Sequence, residues 1–96
     1  MQTILRYGIQ KAAENEADPQ KLKKTVGEQI KYLLEQEKEG PATAQILEAL
    51  KNPQSIIEVR AGDVVQTVSP DMPLRELLPV DGDELEIAVS QPHVGG

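Results

Sequence analysis

The spacing of apolar residues changes at Asn52-Pro53, and this change constrains the fold more than any other feature of the chain. Before it, apolar residues recur every three or four positions, as in amphipathic helices. After it, they alternate or form short β-branched runs, as in strands. A chain of 96 residues builds only one modest core, so both halves must share it. We therefore predict one α+β domain over residues 1–90, with an N-terminal helical layer packed on a small, mainly antiparallel sheet.

The first half, residues 1–52, predicts three helices. The most regular apolar stripe follows Asp18-Pro19, a pair suited to begin a helix. Its members are Leu22, Val26, Ile30, Leu33 and Leu34. Gly27 inside this stripe costs about 1 kcal/mol relative to Ala and is compatible with close packing of another element. A shorter helix between Gly40-Pro41 and Asn52-Pro53 is expected to turn Ile46, Leu47 and Leu50 inward.

The opening segment is compatible with two structures. Ile4, Leu5, Ile9, Ala12 and Ala13 recur at near-helical spacing, which slightly favours a helix. Residues 2–9 could also form a strand, because so short a window fits both periods.

The second half, residues 53–90, predicts strands. β-branched runs at 56–59 and 64–68 flank Ala61-Gly62-Asp63, a pattern typical of a hairpin. Pro73 is expected to begin a single helical turn that carries Leu74, Leu77 and Leu78 and ends at Pro79.

The last predicted strand covers residues 84–90. In it Leu85, Ile87 and Val89 alternate with Glu84, Glu86 and Ala88, so the first three should be buried and the opposite face acidic. Residues 91–96 have no apolar period and are predicted to be a flexible tail.

The composition excludes several classes of function. The chain has no cysteine and one histidine, His93, so neither a redox site nor a cysteine- or multi-histidine metal site is expected. Two tyrosines are its only aromatic residues, and its net charge is −6, which argues against nucleic-acid binding. No apolar run approaches the roughly 20 residues that a membrane span needs, and no secretion signal is recognisable, so a cytoplasmic location is expected.

Catalysis is not expected either. No serine or threonine has a histidine in a predicted structured segment that could activate it. Paired carboxylates such as Asp81 and Asp83 lack a calcium-binding loop or a partner base, which favours solvated turn charges. We predict that the protein is not an enzyme and needs no cofactor.

The negative charge lies entirely in the second half. Residues 1–52 carry eight basic and eight acidic side chains, whereas residues 53–96 carry two basic and eight acidic ones. A basic protein surface would be steered to this half. The predicted partner-binding residues are Asp81, Asp83, Glu84 and Glu86.

The sequence closes on Gly95-Gly96. Two glycines carry no β-substituent, so an extended tail of this kind can enter a narrow channel and present a carboxylate to a nucleotide-activating enzyme. An incidental diglycine is the alternative.

The residues before this diglycine resemble a known family. The run DGDELEIAVSQPHVGG, Asp81 to Gly96, is similar to the C-terminal ends of the ubiquitin-like sulfur carriers, namely the small subunit of molybdopterin synthase and the thiamine-pathway sulfur carrier. The preceding IEVRAGDVVQTVSPDMPLRELLPV resembles the family in its order of strand, glycine turn, strand and loop. The resemblance implies a β-grasp fold and a Gly96 carboxylate that a partner enzyme adenylates and converts to a thiocarboxylate.

The first half departs from that family, which usually opens with a β-hairpin and has one long helix. Two functions therefore follow from the sequence. One is a small carrier or modifier whose Gly95-Gly96 end is activated by an adenylating enzyme with a basic docking surface. The other is a protein–protein interaction or adaptor module, which could be oligomeric, with an incidental diglycine.

Overall fold

The computed structural model describes residues 2–16, 22–36, 41–77 and 84–91. In these ranges the strands are β1 (Gln2–Tyr7), β2 (Gln10–Glu16), β3 (Ile56–Ala61), β4 (Val64–Val68) and β5 (Glu84–Ser90). The helices are α1 (Val26–Gln36), α2 (Pro41–Lys51) and a short 3₁₀ helix (Leu74–Leu77).

The five strands form one open sheet in the order β2-β1-β5-β3-β4. β1 and β5 are parallel at its centre, and the other three pairs are antiparallel. The α+β class and the mainly antiparallel sheet are therefore confirmed. An open sheet with the first and last strands side by side is compatible with a β-grasp arrangement.

The prediction of a helix over residues 4–13, which the spacing slightly favoured, is wrong, and residues 1–52 are not wholly helical. This segment is the β1–β2 hairpin, which turns at Gly8 with a φ of 63°. Ile9, which the helical interpretation placed on the apolar stripe, is 96% exposed at the turn. Strand pairing wins here because alternation places Thr3 and Leu5 in the core and the positive φ requires a glycine.

The predicted apolar stripe of α1 is confirmed. Its members from Val26 to Leu34 and the preceding Leu22 are all buried. The helix begins at Val26, and the Thr25 hydroxyl accepts a hydrogen bond of 3.2 Å from the Glu28 N–H, as an N-cap residue does. The predicted start at Asp18-Pro19 is therefore wrong for α1, because residues 22–25 are described and are not helical. Asp18 and Pro19 themselves lie outside the described residues.

α2 ends at Lys51, directly before Asn52-Pro53, as predicted. Ile46 is fully buried and Leu50 is partly buried against the core. The prediction for Leu47 is wrong: this side chain is 39% exposed, and Ala49 is buried in its place on the inward face.

The segment after β4 holds the N-terminus of α1. The N–H groups of Val26 and Gly27 donate to the carbonyls of Met72 and Pro70 at 3.1 and 2.8 Å, respectively. Helix N-termini leave such N–H groups without helical partners, so these bonds fix α1 to the loop. A Cβ on Gly27 would lie 3.1 Å from the Pro70 oxygen, which confirms close packing at this glycine.

The predicted β3–β4 hairpin and the last strand are also confirmed. Gly62 has a φ of 62° at the turn, and β3 pairs with both β4 and β5. Leu85, Ile87 and Val89 are fully buried. The predicted turn after Pro73 is the 3₁₀ helix, whose Leu74 is also fully buried.

Candidate functional site: the outer face of the sheet

Alternation along the strands separates a core face from an outer face. In β5 the outer residues are Glu84, Glu86, Ala88 and Ser90, opposite the buried apolar set. Glu86 is paired in register with Ile4 of β1 and Arg60 of β3. The centre of the outer face is thus built from residues far apart in the sequence.

Glu86 lies between two arginines. Its carboxylate accepts a hydrogen bond from the Arg6 Nε, and its second oxygen is 3.9 Å from an Arg60 guanidinium nitrogen. The Glu86 side chain is 18% exposed, against 34% for Arg6 and 59% for Arg60. Because the Arg6 pair is partly shielded from water, its attraction is screened less than that of the Arg60 contact.

A second polar cluster lies on the β2 side of the same face. Glu14 accepts a hydrogen bond from the Gln2 side-chain amide and pairs with the Lys11 ammonium at 2.5 Å. Glu58 and Glu84 are exposed and form no ion pair with a described residue. The described part of the outer face therefore carries mixed charge, with two carboxylates available to an external cation.

The structure places only part of the predicted site. Glu84 and Glu86 lie on the same side of β5, the first exposed and the second half-buried and ion-paired. Asp81, Asp83, Gly95 and Gly96 lie outside the described residues. β5 ends at Ser90, paired with Ile56, so the chain leaves the sheet beside the start of β3.

Sequence reasoning missed Arg6 and Arg60 as partners of Glu86. Arg60 could have been found, because it alternates with Glu58 on the outer side of a predicted strand. Arg6 could not, because the near-helical spacing of its segment favours a helix and it lies 80 positions from Glu86.

An open groove of about 470 Å³ lies on the opposite side of the sheet, between the end of α2 and the β3–β4 hairpin. Its lining includes Leu50, Lys51, Pro53, Ile57 and Val68. The Ser55 hydroxyl also lines it, is buried, and has no hydrogen-bond partner among the described residues. Asn52 and Ser69 also line the groove, so its lining is polar as well as apolar.

The part of the chain that the structure describes contains no group of three His, Asp or Glu side chains that could hold a metal ion. Neither described helix is long and apolar enough to cross a membrane.

One carboxyl group outside the sheet, that of Asp71, has a lowered pKa. The Ser69 hydroxyl donates to the Asp71 carboxylate at 2.6 Å, and this bond together with the Asp71 backbone N–H lowers the pKa of Asp71. The interaction lies in the loop whose Pro70 and Met72 carbonyls accept hydrogen bonds from the N-terminus of α1.

Comparison with protein-family models, curated proteins and solved structures finds no significant match for this chain.

Proposed function

We propose that this protein is a small, non-catalytic, ubiquitin-like carrier or modifier whose Gly95-Gly96 end is activated by a partner enzyme. The observation that carries the proposal is the position of β5. This strand lies at the centre of the sheet, parallel to β1, with three fully buried side chains. It is thus a rigid base for the segment that leads to the diglycine.

The chemistry requires little from the carrier itself. A carboxylate oxygen of Gly96 attacks the α-phosphorus of ATP, and pyrophosphate leaves. The resulting acyl adenylate is then open to attack by a sulfur donor or an amine, with release of AMP. The absence of a Cβ at Gly95 and Gly96 lets the tail reach the nucleotide through a narrow channel. The proposal requires Gly96 to carry a free carboxylate, either as synthesised or after removal of an extension.

The outer face of the sheet supports docking to a basic enzyme surface. Glu58 and Glu84 are exposed there, and the net charge of −6 favours approach of a cationic partner. Because two arginines already balance Glu86, we expect Glu84 to contribute more than Glu86 to this attraction.

ATP–pyrophosphate exchange with the cognate adenylating enzyme tests the proposal. Gly95→Ala and deletion of Gly96 should abolish exchange, because both changes fall on the end that enters the active site. Val94→Ala, in the same tail, is the matched control and should retain it. All variants should unfold at the wild-type denaturant midpoint, because none of them changes a residue of the described core. Exchange that survives both glycine changes would overturn the proposal.

A protein–protein interaction module is the second candidate, and the ordered charges around Glu86 favour it. Arginines on both sides of one glutamate give the outer face a fixed pattern that a partner can recognise. This function predicts that partner binding survives loss of Gly95 and Gly96 and is weakened by Glu84→Lys. If the protein is a carrier, loss of Gly95 and Gly96 should instead abolish its function.

A further inference from the structure

The two edges of the sheet differ in how they are protected. The β2 edge carries Lys11, Glu14 and Glu16, and the register shift opposite Leu5 and Arg6 leaves Ala12 as an extra residue. Charges and bulges of this kind discourage pairing with another strand. The β4 edge, Val64–Val68, has neither feature: it contains no charge, proline or glycine, and its first four residues are exposed.

The β4 edge is open in the described part of the chain. β4 pairs with β3 alone, at the end of the strand order. Val64 and Val65 are 48% and 49% exposed, so apolar surface accompanies the unpaired backbone. An exposed, uncharged, β-branched edge is a template for another strand.

The sequence of β4 is nearly symmetric about Gln66. Val64 and Val68 are identical, and Val65 and Thr67 are isosteric β-branched residues. An antiparallel pair of two such strands, related by a two-fold axis at Gln66, therefore places similar side chains opposite one another.

Backbone geometry agrees with this register. Gly62 is the first central residue of the β3–β4 turn and has a positive φ, whereas Asp63 does not, as in a type II′ turn. Such a turn closes with a hydrogen bond from the N–H of its fourth residue, Val64, toward β3. The N–H and C=O groups of successive residues point to alternate sides of an antiparallel strand. Since those of Val64 point toward β3, those of Val65 and Thr67 point to the open edge.

The charges next to this edge do not oppose the pairing of two copies. On the outer face, Glu58 of β3 lies beside Thr67, and Arg60 lies beside Val65. Pairing Thr67 with Val65 of a second copy puts Glu58 and the Arg60 of that copy in one cross-strand row. β4 itself, the strand that would pair, carries no negative residue.

We propose that the β4 edge is a self-association surface, on which two copies pair antiparallel about Gln66 and join two five-stranded sheets into one of ten strands. Val65 and Thr67 exchange backbone hydrogen bonds across the axis. The proposal is independent of the diglycine, because β4 lies at the sheet edge and the tail leaves from the central strand.

Sedimentation equilibrium over a concentration series up to the millimolar range tests the proposal. The wild-type mass should rise from one 10.5 kDa chain toward two. Thr67→Pro removes an N–H directed to the open edge, a position where an edge strand tolerates proline, and should leave a folded monomer. Gln10→Lys, on the exposed β2 edge, is the control and should still dimerise.

A charge exchange tests the register and covers the case in which Thr67→Pro does not fold. Gln66→Lys and Gln66→Glu each put like charges opposite one another, which should weaken dimerisation by roughly fivefold. Mixing the two variants should restore it as a heterodimer. A wild-type chain that stays monomeric overturns the proposal. The partner of the β4 edge would then be an extended segment of another protein. A dimer that is insensitive to both Gln66 changes also overturns it.

Discussion

At the scale of single residues, Gly27 connects two distant parts of the chain. Its N–H donates to the Pro70 carbonyl, and that same oxygen lies 3.1 Å from the position that a Cβ would take. A glycine near the start of a helix lowers helix propensity, yet here it lets the loop after β4 approach closely enough to satisfy the helix N-terminus.

We expect Gly27→Ala to destabilise the protein by about 1 kcal/mol. The added Cβ would lie 3.1 and 3.2 Å from two atoms of Pro70, and overpacking of this kind costs about 1–3 kcal/mol. The gain in helix propensity, at most about 1 kcal/mol, offsets only part of that. Urea unfolding measures the difference. Lys31→Ala, exposed on the same helix, is the control and should stay within about 0.5 kcal/mol of wild type. A more stable Gly27→Ala variant would contradict the packing described.

We expect Ser69→Ala to return the lowered pKa of Asp71 toward its ordinary value, because the Ser69 hydroxyl is the main group that stabilises the carboxylate. A lowered pKa in the folded state means that this interaction favours folding above about pH 4. The contribution is lost as the pH falls through the pKa of the folded state. Carbon-detected NMR titration of the Asp71 carboxyl group measures both values. An unchanged pKa in Ser69→Ala would show that the hydroxyl does not hold this carboxylate.

At the scale of elements, the outer face is connected by side chains from three strands. Glu86 of β5 lies directly opposite Arg60 of β3 and diagonally opposite Arg6 of β1, near the middle of the sheet. The cluster links the N-terminal hairpin to the C-terminal strand on the side away from the core.

A double-mutant cycle of Arg6→Ala and Glu86→Ala should give a coupling free energy of about 0.5–1 kcal/mol. The pair is partly exposed, so its value stays within the range of surface ion pairs. The matched cycle of Arg6→Ala with Glu84→Ala should give a coupling near zero, since Glu84 makes no described contact with Arg6. Equal coupling free energies in the two cycles would contradict a specific Arg6–Glu86 pair and would show that Arg6 responds only to the negative charge of the whole face.

The elements that could be predicted from sequence are those whose signal is local. α1 has four apolar residues at helical spacing, and β5 alternates over its whole length, so the type and the buried face of both elements are predicted correctly, although α1 begins later than predicted. The β1–β2 hairpin was not, because Ile9 imitates a helical position and the bulge in β2 disrupts the alternation around Ala12 and Ala13. The strand order and the Arg6–Glu86 pair depend on contacts between the two ends of the chain, which no local pattern specifies.

At the scale of the whole molecule, folding redistributes the charge that the sequence separates into halves. The acidic second half contributes Glu58, Glu84 and Glu86 to the outer face, and the neutral first half brings Arg6 and Lys11 to the same face. The result is a mixed surface rather than a uniformly acidic one.

The β1–β5 pairing also bears on how the proposed function is divided within the molecule. The first and last strands lie side by side at the centre of the sheet, and β5 has three fully buried side chains. The proposal assigns docking and rigidity to the folded body and the chemistry to Gly96.

The most direct test of this account is the intact mass of the mature protein isolated from its natural host. The account predicts a chain whose C-terminus is Gly96, with a fraction that carries sulfur in place of one carboxylate oxygen or is joined through Gly96 to an amine. A mature chain that retains residues beyond Gly96, with no processed form, would contradict it.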